Sequence, residues 1–356
     1  MADESLDLVI HLGDYIYESS WGSDFVRRHA APEPRTLVEY RNRHAQYRLD
    51  PDLQRMHQST PWLPVWDDHE VENDYARDQS EELDPNFLER RAAAYQAYFE
   101  HMPLRPTQAP RGATMQLYAR YDFGDLARIH LLDNRQYRSY QACPRPGRGG
   151  SNWVDAGCRE LFDPERTYLG FEQERWLEQG LRSARVRWNI IAQQTLMARH
   201  DPRREAAPTY WTDGWDGYPA ARQRLLDQLA RERIRNTIVI GGDVHAFFVA
   251  DLKSDFSNPA SSVVATEFVT TSITSQARPA RQLADVLDAN PHLKLIDPRY
   301  RGYTVVSLER ARATVALRAV STVKRRSSRV FTRAQFEVDP LEPGARLSSA
   351  RAPRIR

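Results

Sequence analysis

The chain has 356 residues, 41% apolar and 28% charged, with a formal net charge of only +2. That balance describes an ordinary globular protein and demands no nucleic-acid partner. No run of about 18 apolar residues is present, so no membrane span is expected, and Glu4 and Asp7 follow Met1 too closely for a visible signal peptide.

The length is large for one core but within reach of a big α/β sandwich, or of two domains. The basic residues are nearly all arginine, with lysine only at Lys253, Lys294 and Lys324. That bias reads as genome composition rather than an arginine-specific task.

Residues 6–12 form a short apolar run, the pattern of a strand covered on both faces. Gly13 lets the backbone turn. Asp14 and Tyr17 then lie just past the carboxyl end of the strand, where open α/β sheets keep their chemistry. An Asp-x-x-Tyr pair there offers two anionic oxygens to a trivalent metal able to deprotonate the phenol, and haem iron is known to accept tyrosine. A capping Asp and a packed Tyr explain the same pair.

Leu37, Tyr40, His44 and Tyr47 have helical spacing, and Leu53 and Met56 start a second turn of helix. His44 and His57 read as satisfied surface or interhelix histidines. Residues 62–66 form a short strand. Asp67, Asp68, His69, Glu70, Glu72, Asn73 and Asp74 follow in one loop. So many carboxylates repel one another unless cations are present. A solvated turn would explain one or two of them. It does not explain the flanking tryptophans, the His wedged between acids, or the Asn.

Residues 86–102 form an amphipathic helix stopped by Pro103. Two strands, 115–121 and 126–132, are joined by a hairpin-like turn. The second runs into Asp133 and Arg135. Arg135 offers a guanidinium fork to a phosphate oxygen, or pairs with Asp133 and shapes the loop. The irregular stretch 138–167 reads as a lid, a binding rim or a disordered loop. It holds both cysteines, Cys143 and Cys158. A bridge would close a loop of about 15 residues, contribute about 3 kcal/mol in the chain-entropy account, and imply an oxidising compartment. Two free thiols fit equally well, and no partner pair exists for structural zinc.

A helix over 171–183 precedes a buried strand, 187–192, ending in Gln193 and Gln194. Their amides can supply a neutral carbonyl oxygen or merely bond the loop. Residues 209–218 mix aromatic and polar groups, as a pocket wall does. Pro219 opens a helix running to about residue 233. After a strand at 236–241, strand-like alternation would put Asp243 and His245 on one side of the chain. A strand at 263–271, a β pair at 302–308 and 313–320, and an edge strand at 329–338 follow. Residues 339–356 have the composition of a flexible tail.

The clusters at Asp14/Tyr17, Asp67–Asn73 and Asp243/His245 each follow a buried strand, and one shared metal centre explains all three. Asp14, Tyr17 and His245 suit Fe³⁺. Asp68, Asn73 and Asp243, with Gln193 or Gln194, suit Ca²⁺ or Mn²⁺ over Zn²⁺. Asp14 is the natural bridging carboxylate.

The blocks GDYIYE (13–18), WDDHEVENDYA (66–76), IAQQ (191–194), WDGYPA (215–220), GDVH (242–245), EFVTTSITS (267–275) and RGY (301–303) resemble those of the PhoD-type alkaline phosphatases. These are calcineurin-like metallophosphoesterases. The resemblance runs from residue 6 to about 338. It implies a four-layer α/β/β/α sandwich of two mixed sheets. It also implies Fe³⁺ and Ca²⁺ as cofactors, and hydrolysis of phosphate monoesters by a metal-activated water. Phosphodiesterase action on the same site is the alternative. By position, Asp14 resembles the bridging ligand, Tyr17 the iron phenolate and His69 the catalytic histidine. Asp68, Asp243 and His245 resemble metal ligands, and Arg135 is a candidate phosphate clamp.

The partner implied is a small phosphate ester. Members of the family also carry a Tat-type export signal and an earlier, cysteine-bearing core strand. Neither is found in this chain, so residues 1–338 read as a catalytic domain missing its first core strand. The same resemblance implies a secreted or periplasmic protein, and an open sheet edge beside residues 6–12. A catalytically incomplete fragment that only binds cations is the other alternative.

Overall fold

The computed structural model describes residues 1–20, 25–202, 207–277 and 287–350. In chain order the elements are β1 (Val9–Leu12), α1 (Leu37–Arg48), α2 (Pro51–Ser59), β2 (Trp62–Val65), α3 (Phe87–His101), β3 (Ala119–Phe123), β4 (Ala127–Leu131) and β5 (Trp153–Asp155). There follow α4 (Phe171–Ser183), β6 (Trp188–Ala192), β7 (Thr209–Trp211), α5 (Pro219–Arg231), β8 (Thr237–Gly241), β9 (Phe247–Lys253) and β10 (Val263–Val269). The last five strands are β11 (Leu293–Asp297), β12 (Arg301–Leu308), β13 (Ala313–Val320), β14 (Val330–Val338) and β15 (Arg346–Ala350).

The largest sheet has seven strands in the order β11-β9-β10-β8-β6-β4-β3. Its centre is parallel: β4 with β6, β6 with β8, and β8 with β10. Both faces of its centre are covered, which is why β6, β8 and β10 read as mainly apolar runs. Ile190, Ile238, Phe247 and Val249 point into one core; Ile191, Val239, Phe248 and Ala250 point into the other. The second core is closed by Leu177 and Leu181 of α4 and by Leu225, Leu226 and Leu229 of α5.

The first core is closed by a second β layer in two pieces. One is the parallel pair β1/β2; the other is the antiparallel sheet β12-β13-β14-β15. Beyond this layer, Ala94, Tyr95 and Tyr98 of α3 pack on Val65 and Trp66, and Trp66 stacks on Tyr95 at 4.0 Å. Helices therefore lie outside two packed β layers, as expected. The helix starts follow local chemistry. Thr36 and Glu39 form a reciprocal capping box at α1, and Pro51 and Pro219 sit in the first turns of α2 and α5.

Three expectations are corrected. The segment after residue 338 is not a uniform tail. Gly344 turns at φ 130°, its N–H donates to Thr266 at 2.8 Å, and Ala345 donates to Asp251 at 2.9 Å. Those anchors aim β15 along β14, so β14 is not the sheet edge. The stretch 138–167 holds β5 and a disulfide between Cys143 and Cys158, and β5 pairs with β7. No helix among the described residues is long and apolar enough to cross a membrane.

Candidate metal centre

Five site loops leave the carboxyl end of a parallel strand: β1 to Asp14, β2 to Asp67–Glu70, β4 to Arg135, β6 to Gln194 and β8 to Asp243; Asp213 instead follows β7, which is antiparallel to β5. The first two loops are pressed together at Gly13. A Cβ built there would lie 2.5 Å from the Asp67 nitrogen and 2.9 Å from its Cα, so only glycine fits. Glu70 stitches the same loops. Its carboxylate accepts N–H bonds from Asp14 at 3.0 Å, from Asp67 at 2.8 Å, and from Tyr15.

Ligand atoms of Asp14, Asp68 and His69 lie within 4.8 Å of one another. Tyr17 joins them. Its hydroxyl donates to Asp14 Oδ2 at 3.1 Å and lies 2.9 Å from His245 Nε2, and its ring stacks on His69 at 4.1 Å. His245 Nδ1 sits 2.6 Å from the carbonyl of Gln276, which can only accept. The proton is therefore on Nδ1 and Nε2 is bare. Asp14, Tyr17 and His245 are thus brought together across the whole length of the chain. Their acceptor atoms outnumber the protons among them.

Asp68, Asp74 and Asp213 form a second convergent group that shares Asp68 with the first. The two differ in how well they are satisfied. Asp213 Oδ1 accepts from Arg135 at 3.0 Å, Arg138 at 2.8 Å and Gln141 at 2.9 Å. By contrast Asp14 Oδ1, Asp67 Oδ2 and Asp68 Oδ1 are buried without a hydrogen-bond partner, as is Gln194 Oε1; Arg135 comes only to 3.5 Å from Asp68 Oδ1. Buried carboxylate oxygens left bare are costly. The residues present therefore fit cations, and the fit is better in the Asp14 group.

The electrostatics agree. Burial pushes the Asp14 carboxyl well above the carboxylate range; His69 opposes this, and Asp68, Asp67 and Glu70 add to it. Burial, Asp67 and Asp68 do the same to Asp243, which lies in the field of these acids. Burial would depress His69, but Glu18, Asp68 and Asp14 outweigh it and hold the imidazole well above its ordinary value. Glu18 Oε2 accepts from His69 Nδ1 at 2.8 Å, and Glu18 Oε1 takes the Asn73 N–H at 3.0 Å.

Several expected roles change. Arg135 is fully buried, with its guanidinium on Asp67 and Asp213 and its N–H on Asp133. It holds acids in place. The Asn73 amide nitrogen donates to Glu81 at 2.9 Å, so its carbonyl oxygen is the atom it has to offer. The Gln193 carbonyl is taken by Thr195 and Trp215, each at 3.0 Å, so Gln194 is the amide with an oxygen to offer. Asp243 and His245 do not reach the site by strand alternation: both have left-handed backbone, φ 68° and 53°, as do Asp14 and Asp74 at 57° and 54°.

Sequence reasoning missed the parts played by Glu18, Glu70 and Asp213. It also missed Arg43, which donates to the carbonyls of Glu18 at 2.7 Å and Pro32 at 2.8 Å. The acid beside Gly214 in an aromatic stretch was the one available signal for Asp213.

A two-layer β sandwich flanked by helices, with an acid, histidine and tyrosine cluster at its strand ends whose atoms can hold a metal ion, defines the class: an α/β sandwich with a candidate metal centre. A family model described as PhoD-like phosphatase matches residues 1–317, and the chain belongs to that family. It is 42% identical over 365 aligned positions to alkaline phosphatase D of Bacillus subtilis (strain 168), an alignment covering 98% of this chain and 60% of that protein. The chain thus spans about 60% of the length of this curated relative. A solved structure titled "Structure of PhoD" superposes with a TM-score of 0.91 at 40% identity, covering 99% of this chain and 68% of that one.

Proposed function

We propose that the chain hydrolyses phosphate esters, chiefly monoesters at alkaline pH, with Fe³⁺ and Ca²⁺ bound in the acid cluster. The observation that carries this reading is the set of buried, partnerless oxygens on Asp14, Asp67 and Asp68 beside His69 and Tyr17. Asp14, Tyr17 and His245 would hold the iron. Asp68 and Asp243, with the amide oxygen of Asn73, would hold calcium. Bound there, such cations acidify water and neutralise phosphoryl charge.

The chain's own groups do the rest. Burial, then Asp14, raises the Tyr17 phenol well above its ordinary range, so the phenol ionises only for a strongly charged partner. Glu18 accepts from Nδ1–H of His69, fixes the ring and favours the doubly protonated imidazolium. The separate proton on Nε2 would pass to the leaving oxygen, a contribution of about 10²–10⁴ in rate. Arg135 and Arg138 keep Asp67 and Asp213 from repelling one another. Export from the cell is part of the same proposal, supported by the Cys143–Cys158 bridge.

The test is turnover of p-nitrophenyl phosphate against its bis-ester by metal-loaded protein. Asp14→Asn and His245→Ala should abolish hydrolysis while thermal unfolding stays close to wild type. Near-normal turnover in both would contradict the site, and faster attack on the bis-ester would make the chain a diesterase. A visible charge-transfer band lost in Tyr17→Phe is expected; a colourless, fully active enzyme would refute the iron role.

A further inference from the structure

The strands of the large sheet carry their acids at one end and an uncompensated positive charge at the other. β6 and β8 have five residues each, so at about 3.3 Å per residue their amino ends lie roughly 16 Å from the acid cluster. Two cavities open there and share Asn236 as a wall. One, about 570 Å³, is lined by Arg182 and Arg185; the other, about 280 Å³, by Arg187, Arg233 and Arg235.

About half of the described arginines are matched by acids, and Arg182 is among them, with Glu178 at 2.5 Å and Glu232 at 2.8 Å. The other four differ. Arg185 donates only to the carbonyls of Arg182 and Ala184, and Arg187 to that of Arg310. Among the described residues, no carboxylate lies within ion-pair distance of Arg185, Arg187, Arg233 or Arg235. An arginine-rich composition explains their number. It does not explain why four of them converge on adjoining hollows whose one lining acid, Glu232, is already paired with Arg182.

Guanidinium forks match tetrahedral oxyanions, and two cavities that share a wall match several such groups in a row. The lining includes no aromatic ring on which a base would stack, which argues against single-stranded nucleic acid. We propose that this pole binds a linear, phosphate-bearing polyanion, of which inorganic polyphosphate is the simplest.

The experiment is calorimetric titration of the metal-loaded protein with short-chain inorganic polyphosphate at several salt concentrations. Wild type is expected to bind, with affinity falling as salt rises. The triple variant Arg185→Ser/Arg233→Ser/Arg235→Ser should bind at least about tenfold more weakly, its salt slope reduced by about one per lost contact. Its unfolding temperature and its hydrolysis of p-nitrophenyl phosphate should be unchanged. Binding should survive Asp14→Asn, which separates this pole from the hydrolytic cluster. No binding by wild type, a triple variant within twofold of it, loss of binding in Asp14→Asn, or tighter binding of an oligonucleotide of equal charge would each overturn the proposal.

Discussion

Gly13→Ala is the sharpest test of how the site is assembled. The added methyl would overlap the side-chain Cβ of Asp67 and lie 2.5 Å from its backbone nitrogen. Carbon contacts settle near 3.5–4.0 Å, so the two loops must part by about 1 Å. Such overpacking costs about 1–3 kcal/mol, and the backbone at φ 107° adds about 1 kcal/mol or more. The Glu70 bonds that tie the loops would stretch as well.

Gly124→Ala is the control. It also sits at positive φ, 54°, but a Cβ there meets nothing within 4 Å, so it carries only the backbone part. We expect Gly13→Ala to unfold at a temperature lower than Gly124→Ala by about 3 °C. Because Asp14 and Asp67 flank the displaced contact, hydrolysis should fall about 10²-fold, and bound metal per chain, measured by mass spectrometry, should drop. Equal unfolding temperature, metal content and turnover in the two variants would refute the reasoning.

Glu18→Gln removes the charge that holds the His69 ring; kcat should fall about 10²-fold with KM within about threefold, whereas a raised KM with intact kcat would show that Glu18 acts on binding. Arg135→Met leaves Asp67 without a guanidinium and Asp213 with Arg138 alone, and should cost about 3–5 kcal/mol in urea unfolding of the metal-free protein; unchanged stability with a raised KM would support the phosphate-clamp role. His44 is buried, with both ring nitrogens partnerless, and burial, with His101 and Arg48 adding to it, holds it down at about 3 against an ordinary 6.5. The unfolded chain takes up that proton near 6.5 while the folded chain refuses it, so stability is lost as pH falls through this window, by up to about 1.4 kcal/mol per unit. His44→Phe should flatten the dependence of the urea midpoint between about pH 6 and 4, and an identical slope would rule out His44 as its source.

The parallel strands β6, β8 and β10 were legible because they are covered on both faces, α1 and α2 from the spacing of Leu37, Tyr40, His44 and Tyr47 and of Leu53 and Met56, and α5 because Pro219 marks its start. The convergence of Asp14, Tyr17, Asp68 and His245 was legible from their shared position after buried strands. β9 and β11 were not. β9 begins two residues past His245, so its apolar run merged with the motif. The partners of Arg135 could not be foreseen either. Nearby Asp133 takes only its backbone N–H, while Asp67 and Asp213 arrive from distant loops, and no local pattern encodes such pairings. Alternation failed at Asp243 and His245 because both leave the extended conformation.

The left-handed backbone at Asp14, Asp74, Asp243 and His245 has its own consequence. Side chains disfavour that conformation by about 1 kcal/mol or more per residue, so the cage is set in an unfavourable posture before any ion arrives. Glycine at these positions would relax the chain and erase the donors. Selection of variants on heat resistance alone would therefore tend to discard the reactive centre while appearing to improve the protein.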